Sequence, residues 1–379
     1  MEDISEVSAV VQPRIHSAKK VSLEDQIPLR TPFSAHIDVC SVCNYKCSFC
    51  FQADTPAMKA AGLKRGMMDV DLFKKIVDGV ADFDEKLKKI KIGNHGEPTL
   101  HPKLPEMIKY ARDADCADII EIFTNGSKLN PELNEAMVKA GLQRINISLE
   151  GLTNERYFQV AGIKEDVDAM YVNLVHLYEV SRGSDLQIYI KIADRTSALD
   201  NNDERIFILS EEERQYFFDR FGNICDEIFI EKIVPQWAET QYDKQNSVGE
   251  TGMYDQKIKT YKDICPFIFM YLHFNWDGTV SPCTLDWPKK VNIGNSKEES
   301  TREIWDGESL RSLQIAMLRG ERDKINFCNN CSAPMVCVEE DLDNVKPEML
   351  ELLGATNEEI TGDNIWIMPS TTIDLETHE

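Results

Sequence analysis

Short apolar runs alternate with longer segments of helical periodicity between about residues 34 and 237. The apolar runs are rich in Ile, Val and Phe, which is typical of buried strands. The intervening segments repeat apolar residues with the period of an amphipathic helix. The pattern predicts six strands at 35–39, 89–93, 119–123, 144–149, 187–192 and 227–234, and five helices at 70–83, 103–113, 131–140, 167–180 and 211–221.

Three local signals support the predicted helix boundaries. Asn130 precedes Pro131, which combines an N-cap with a proline at the first helical position. Ser210 and Glu213 have the spacing of a capping box, and Gly141 is a C-terminal stop. Strands that alternate with helices predict an α/β fold with a parallel sheet and right-handed crossovers. In such sheets, functional residues lie at the carboxyl ends of the strands.

Composition narrows the class of protein. The chain has 379 residues, enough for one large domain and a small one. A net charge of −23 repels phosphate backbones, so we expect no nucleic-acid partner. No apolar run approaches the length of a membrane span, and the N-terminus lacks the layout of a signal peptide. We therefore predict a cytoplasmic protein without a membrane partner.

Cysteine spacing is the strongest chemical signal. Cys43, Cys47 and Cys50 form C-x3-C-x2-C directly after the first predicted strand. Three thiolates can hold three irons of a [4Fe–4S] cluster and leave the fourth iron open to a small molecule. Cys40 lies three residues earlier, so a zinc site or a closed ferredoxin-type cluster with four cysteines is an alternative.

This motif, including Phe49 before the last cysteine, resembles that of the radical SAM superfamily. The resemblance implies a partial (β/α)6 barrel in which the open iron binds the amino and carboxylate groups of S-adenosylmethionine (SAM). Reductive cleavage of SAM would then produce a 5′-deoxyadenosyl radical that abstracts a hydrogen atom from a substrate.

Other predicted strand ends extend the resemblance. After the second strand, Gly96-Glu97-Pro98 is similar to the family's GGE segment, although Asn94 and His95 stand where a second glycine is common. In the family, this segment binds the SAM amino group, and later strand ends contact its ribose and carboxylate. The matching residues expected to bind SAM are Phe49, Gly96, Glu97, Pro98, Asn125, Ser148 and Arg156.

Ionisable residues at the same edge are candidates for substrate chemistry. Proton transfer requires a side chain with a suitable pKa within hydrogen-bonding reach of the substrate. The candidates for this role are His95, Glu150, Lys191 and Lys232.

A second cysteine group occupies the C-terminal part of the chain, at positions 265, 283, 328, 331 and 337. Spacing alone leaves zinc and iron–sulfur binding open. The pattern resembles the SPASM or twitch domain, which carries auxiliary iron–sulfur clusters. A full SPASM domain has seven cysteines, whereas here Asp341 follows Cys337 and no later cysteine occurs. We therefore predict one auxiliary [4Fe–4S] cluster on Cys265, Cys283, Cys328 and Cys331, with Cys337 as a substitute ligand.

The predicted organisation has five parts: an N-terminal extension (1–30), a radical SAM core barrel (31–239), a linker (240–262), a small cysteine-rich α+β domain (263–345) and an acidic C-terminal segment (346–379). A short strand is also predicted at 365–368. Cys116 and Cys225 fall outside both cysteine groups and are expected to be buried apolar thiols.

The resemblance implies a radical SAM oxidoreductase or isomerase acting on a small polar metabolite, such as a sugar, an aminocyclitol or a nucleotide sugar. The cysteine layout is similar to that of single-cluster twitch enzymes that oxidise an alcohol. The auxiliary cluster would take part in electron transfer, and a flavodoxin or ferredoxin would be the reductant. Peptide modification is the alternative chemistry, with no room for a leader-binding domain before the barrel. A zinc-stabilised binding module without catalysis is the alternative of another class.

Overall fold

The computed structural model describes residues 7–15, 21–199, 205–241, 250–258 and 261–354. Ten strands form one sheet in the order β1-β9-β6-β5-β4-β3-β2-β10-β11-β12, and β7 and β8 form a separate hairpin. The strands are β1 Val10–Val11, β2 Ser34–Ile37, β3 Leu87–Ile92, β4 Ala117–Thr124, β5 Arg144–Leu149, β6 Gln187–Ala193, β7 Arg195–Ser197, β8 Ile206–Ile208, β9 Glu227–Glu231, β10 Tyr271–Phe274, β11 Thr279–Ser281 and β12 Gly294–Asn295.

The six predicted strands are β2, β3, β4, β5, β6 and β9, which pair in parallel in chain order. Sequential order with right-handed crossovers places the connecting helices on one face of the sheet. Alternate residues such as Ile90, Ile122 and Ile145 are fully buried beneath those helices. The predicted α/β class with a parallel sheet is confirmed.

The helices confirm the periodicity of the sequence, and their caps match the predicted ones. Asn130 accepts a hydrogen bond from the Leu133 amide, and both bonds of the capping box between Ser210 and Glu213 are present. The described helices are α1 Thr55–Ala60, α2 Val70–Ala81, α3 Leu104–Asp113, α4 Pro131–Lys139, α5 Asn154–Ala161, α6 Val167–Ser181, α7 Glu211–Phe221, α8 Thr301–Trp305, α9 Glu308–Leu318, α10 Ala333–Val336 and α11 Lys346–Leu352. Among these, none has both the length and the apolar character needed to cross a membrane.

The sheet extends beyond the predicted barrel at both edges. On one edge β1, from the N-terminal extension, pairs in parallel with β9. On the other edge β10, from the predicted C-terminal domain, pairs in parallel with β2. The cysteine-rich segment therefore continues the sheet of the barrel and also contributes α8 and α9, which its turn-rich composition did not predict.

The described part of the predicted linker packs against the C-terminal segment. The Met253 amide donates to the Val336 carbonyl at 3.0 Å, and the Gln256 side chain donates to the same carbonyl at 3.0 Å. The described part of the predicted linker is therefore packed against the C-terminal segment and is not an exposed polar connection. The predicted domain boundaries remain a prediction, and the predicted strand at 365–368 lies outside the described residues.

Candidate active site

The first cysteine group lies in the loop that follows β2, at the carboxyl edge of the sheet. The side chains of Cys43, Cys47 and Cys50 are half-buried. Burial first, and then the neighbouring Glu150, Cys50 and Cys43, raise the pKa of the Cys47 thiol well above its usual range. Metal binding requires thiolates, so a positively charged iron centre would have to offset this cost of burial. The charges of neighbouring cysteines raise the pKa values of Cys47 and Cys50, so the three thiols lie close together, as the ligands of one cluster must.

Cys40 has different surroundings. It is fully buried in the core, its thiol donates to the Val42 carbonyl at 3.3 Å, and its backbone forms a bridge with Met67. The charged groups that influence its pKa are Glu97 and Asp38, whereas the pKa of Cys47 is influenced by the other two cysteines of the motif. This arrangement favours a site of three thiols over one of four.

Gly96 shows why the segment after β3 needs a glycine. A Cβ atom at this position would lie 2.2 Å from the Cys40 carbonyl oxygen and 2.8 Å from that of Val42. The next amide, from Glu97, donates to the Val42 carbonyl at 2.9 Å. The absence of a side chain therefore lets this segment lie directly against the cysteine loop.

The Glu97 carboxylate joins the ends of β3 and β4. One oxygen accepts from the Thr99 amide at 3.0 Å, the Thr99 hydroxyl at 2.6 Å and the Thr124 hydroxyl at 2.7 Å. The other accepts from the Asn125 amide at 2.8 Å. Burial raises the pKa of Glu97, and these donors act in the opposite direction. The second oxygen has one described donor, so it retains capacity for a ligand such as an ammonium group.

Asn125 connects this carboxylate to the cysteine loop. Its side-chain amide donates to the Asn44 side chain at 3.0 Å and contacts the Cys43 sulfur at 3.9 Å. Pro98 packs against Gly93, where a Cβ atom would lie 2.8 Å from the proline ring. The structure thus brings Gly96, Glu97, Pro98 and Asn125 together beside the first cysteine group, where a SAM-binding role was predicted.

Glu150 ends β5 and faces the same loop. It is 7% exposed and contacts the Cys47 thiol. Burial raises the pKa of Glu150 to about 7, and the charge of Lys191 opposes this shift. A carboxyl group with a pKa near neutral can exchange protons with a substrate. Lys191 in turn contacts Glu231 in a short ion pair.

The remaining predicted SAM-binding residues surround Glu150. Arg156 lines a cavity with Glu150, and its guanidinium lies 4.2 Å from the Phe207 ring centre and 3.8 Å from Glu213 Oε1. Ser148 is paired with Lys191 in the register of β5 and β6. Phe49 lies half-buried within the cysteine loop.

His95 belongs to a buried polar cluster that sequence reasoning did not find. Its Nδ1 lies 3.0 Å from Asp38 Oδ2, and His273 Nε2 lies 2.9 Å from the same oxygen. Because the other His95 nitrogen faces the Thr284 carbonyl, both nitrogens have acceptors and the ring fits the doubly protonated form. Burial lowers the pKa of His95, but the Asp38 carboxylate outweighs it and raises the pKa. This cluster joins the SAM-side loop to the C-terminal unit.

Lys232 lies apart from the other three candidates for proton transfer. Its side chain is 38% exposed, and its ammonium lies 2.5 Å from Asp255 Oδ1 and 2.5 Å from the Thr251 hydroxyl. Lys232 directly follows the last residue of β9, so it also lies at a strand end, but its ammonium points toward the 250–258 segment. The role of His95, Glu150, Lys191 and Lys232 in proton transfer stays a prediction.

The second cysteine group surrounds a cavity. Four of its thiols line this cavity: Cys265, Cys283, Cys328 and Cys331. Cys337 is not among the lining residues and packs instead in an apolar cluster with Val234, Met253 and Leu285. The preferred set of four ligands therefore has the geometry of a single site, and the substitute ligand is outside it.

Arg322 stabilises this second site in a way that the sequence did not suggest. Its side chain is largely buried and donates to the Cys328 carbonyl at 3.1 Å, the Lys262 carbonyl at 3.0 Å and the Cys331 carbonyl. The Leu285 amide also donates to the Cys283 sulfur at 3.3 Å. Such outer contacts orient the ligands of a metal centre.

Comparison with known proteins identifies both units. Residues 37–195 match the family model of the radical SAM superfamily, and residues 265–332 match the SPASM iron–sulfur cluster-binding domain. The chain is a radical SAM protein with a C-terminal SPASM domain. A radical SAM domain binds SAM and a [4Fe–4S] cluster, and a SPASM domain binds additional iron–sulfur clusters. These matches support iron over zinc at both cysteine groups.

Two relatives of this radical SAM protein differ in how much of it they cover. The tungsten-containing aldehyde ferredoxin oxidoreductase cofactor-modifying protein of Pyrococcus furiosus is 24% identical over 87% of this chain and 94% of its own length. The GTP 3′,8-cyclase of Chlorobaculum tepidum is 33% identical over 38% of this chain, and the match spans 40% of the cyclase. The match to the first relative covers most of both chains, whereas the match to the second covers less than half of either chain.

Among solved structures, native anSMEcpe with bound AdoMet superposes with a TM-score of 0.52 at 15% identity. The alignment covers 85% of this chain and 99% of anSMEcpe. At this identity the likeness supports the fold alone. Within that fold, the three thiols after β2 fit the SAM-binding cluster, and the cavity with four thiols fits an auxiliary cluster.

Proposed function

We propose that this radical SAM protein is an oxidoreductase or isomerase that acts on a small polar metabolite. The observation that supports this proposal is the polar character of the sheet face away from the helices. Arg144 forms two hydrogen bonds with Glu227, at 3.0 and 2.6 Å, and Glu121 lies between Lys89 and Lys91. These side chains pair with one another, and the hydroxyl, amino or anionic groups of a polar substrate can form further hydrogen bonds with them, which an apolar substrate cannot.

The strand ends offer a route for proton removal. Oxidation of a carbon that bears a hydroxyl group removes one hydrogen atom, one proton and one electron. Cys43, Cys47 and Cys50 would hold the cluster that binds SAM, and SAM bound there would supply the 5′-deoxyadenosyl radical needed to abstract the hydrogen atom. Glu150 is our candidate acceptor for the hydroxyl proton, because it is a buried carboxyl group that directly follows β5, beside the first cysteine group. The second cysteine group would hold the auxiliary cluster that takes part in electron transfer.

Return of a hydrogen atom to the opposite face would instead produce an epimer, which makes isomerisation the second outcome of the same site. The names of the two relatives support a small-molecule substrate. One is named for GTP and the other for modification of a cofactor. Modification of a peptide remains the alternative, and it would use the same radical chemistry on a larger substrate.

The decisive experiment is an anaerobic assay of the reconstituted protein with SAM, a reductant and polyols or sugars deuterated at hydroxyl-bearing carbons. We expect deuterium to appear in 5′-deoxyadenosine, together with a ketone or an epimer of the substrate. Uptake of solvent hydrogen at the same carbon would distinguish the epimer. If 5′-deoxyadenosine is deuterated only by labelled peptides, the small-metabolite proposal fails.

Glu150→Gln tests the proposed proton acceptor, with Glu155→Gln, at the start of α5, as a matched control. We expect the first variant to retain 5′-deoxyadenosine formation without substrate and to lose about 100-fold or more in product formation. The control should behave like the wild type. Equal product formation by both variants would remove Glu150 from the mechanism.

A further inference from the structure

The N-terminal segment delivers an arginine to the polar face of the sheet. This segment precedes the family match, which begins at residue 37. After β1 pairs with β9, the Gln12 amide donates to the Ile228 carbonyl at 3.2 Å. The Arg14 amide then donates to the Tyr189 hydroxyl at 3.0 Å. Because Tyr189 is a fully buried residue of β6, this bond places Arg14 over the interior of the sheet.

The guanidinium of Arg14 lies among aromatic and polar side chains from several elements. It donates to the Tyr254 hydroxyl and lies 4.9 Å from the ring centre of Phe123 on β4. The carboxylates of Glu231 and Glu121 contribute to its electrostatic environment. The side chain therefore spans from the last strand of the parallel sheet toward the middle strands.

The neighbouring cations are paired, but Arg14 is not. Arg144 pairs with Glu227, Lys191 with Glu231, and Lys89 and Lys91 with Glu121. Within the described ranges, no carboxylate oxygen lies within 4.0 Å of the Arg14 guanidinium, and its buried Nε has no hydrogen-bond partner. The Glu121 oxygens and His36 Nδ1 also lack hydrogen-bond partners there. Some of the buried polar atoms that lack hydrogen-bond partners therefore lie on this face.

Physical chemistry indicates what such a site accepts. Glu231 and Glu121 influence Arg14 only from beyond ion-pair distance, so its guanidinium can accept a closer anionic partner, and its buried Nε–H group would normally have an acceptor. The planar guanidinium matches carboxylate and phosphate groups, which can accept two parallel hydrogen bonds. The net charge of −23 repels anions at long range, so recognition of an anion by this chain requires a local cation.

We propose that Arg14 is a substrate-binding residue that anchors an anionic group, a carboxylate or a phosphate, on the polar face of the sheet. This inference rests on the proposed function and deepens it, because it restricts the polar metabolite to one with a negative charge. Tyr254 orients the guanidinium through its hydroxyl. The N-terminal segment therefore completes the substrate site from outside the radical SAM unit.

The test measures binding of two simple anions, inorganic pyrophosphate and succinate, to the reconstituted, SAM-bound protein by calorimetry. We expect saturable binding of at least one anion, with a dissociation constant of about 1 mM or below. Arg14→Gln should weaken that binding about tenfold or more, and Arg14→Lys should have an intermediate effect because it keeps the charge without the planar fork. The tighter anion identifies the group that the site accepts.

Arg302→Gln is the matched control, since Arg302 is a surface residue that pairs with Asp306. It should bind both anions like the wild type. Equal binding by the wild type and Arg14→Gln would overturn the proposal, as would the absence of binding to the wild type up to about 50 mM. If Arg14→Gln does not fold, the anion affinities of Arg14→Lys and Tyr254→Phe provide the test. Affinities equal to that of the wild type in both variants would also overturn the proposal.

A second readout separates this inference from the proposed function. Arg14→Gln should still cleave SAM to 5′-deoxyadenosine in the absence of substrate, because Arg14 does not contact the cysteine loop in the described contacts. Loss of anion binding with retained cleavage supports the inference. A wild type that binds the anion through Arg14 but forms no 5′-deoxyadenosine would sink the proposed function and leave the anion site standing.

Discussion

The two cysteine groups differ in how the chain surrounds them. The three thiols of the first group lie in one loop, which is shaped by the ends of β3, β4 and β5 through Gly96, Asn125 and Glu150. The four thiols of the second group enclose a cavity, and Arg322 holds the backbone of two of them. The first site thus lies at the carboxyl edge of the sheet, where ligands bind in such folds, whereas the second is enclosed by its own four thiols.

The number of thiols at each site determines whether a cluster bound there would have an open iron. Three thiols leave one iron of a [4Fe–4S] cluster open, whereas four thiols saturate it. The sites are nevertheless connected by packing. Phe51, which follows Cys50, stacks on Trp287 with ring centres 5.3 Å apart, and His95 links Asp38 to the Thr284 carbonyl beside Cys283. A saturated cluster can therefore exchange electrons near an open one without competing for SAM.

The largest expected effect comes from removing one thiol of the first site. Cys43→Ala should abolish 5′-deoxyadenosine formation, because the open cluster is lost, and iron should fall from about eight to about four per chain. Iron analysis and chromatography of the reaction products measure both quantities. Cys40→Ser is the control in the same loop, and it should retain the iron. Loss of iron in this control would favour a site of four thiols.

Removal of one thiol from the second site should separate SAM cleavage from product formation. Cys283→Ala should lose about four irons and product formation, while substrate-independent SAM cleavage continues, because the first cluster has its own ligands. Electron paramagnetic resonance of the reduced protein would follow each cluster. The buried Cys116, as Cys116→Ser, serves as a control with unchanged iron. If Cys283→Ala also abolished SAM cleavage, the two sites would not be independent.

A smaller effect, on SAM affinity, is expected from a substitution at Gly96, where close backbone contact shapes the first site. Gly96→Ala would place a Cβ atom 2.2 Å from the Cys40 carbonyl, so the loop must move. We expect SAM affinity to fall by about tenfold to 100-fold, measured by calorimetry. Gly320→Ala is the control, because Gly320 has a φ of +77° with no atom within 4 Å. That control should lose about 1 kcal/mol of stability and no SAM affinity.

The smallest expected effect concerns the support of the second site. Arg322→Gln removes donors to the Cys328 and Cys331 carbonyls, and each lost bond to a buried acceptor costs about 1–3 kcal/mol. We expect a chelator to extract the auxiliary iron several-fold faster than from the wild type. Arg302→Gln again provides a surface control. Identical extraction rates for both variants would show that the four thiols suffice without Arg322.

Local sequence signals predicted the elements of the barrel well. The six parallel strands and five helices follow from apolar periodicity and from caps such as Asn130, because these depend on residues close in the chain. Strands β1 and β10, which extend the sheet beyond the six predicted strands, escaped prediction. β1 has two residues and β10 has four, and each is stabilised by a distant partner strand. Short strands acquire their structure from pairing that sequence periodicity does not contain.

The sequence by itself indicated two groups of metal-binding cysteines, and the resemblance of their motifs to known families favoured iron–sulfur clusters. Cysteine spacing and the Gly96-Glu97-Pro98 segment are local patterns, since one loop must present several ligands to one cluster. Only the tertiary structure left Cys337 out of the lining of the second cavity, paired Lys232 with Asp255 and joined Asp38, His95 and His273. It also brought Arg14 over the polar face of the sheet. These contacts join residues far apart in the chain, so they depend on strand register and packing rather than on spacing.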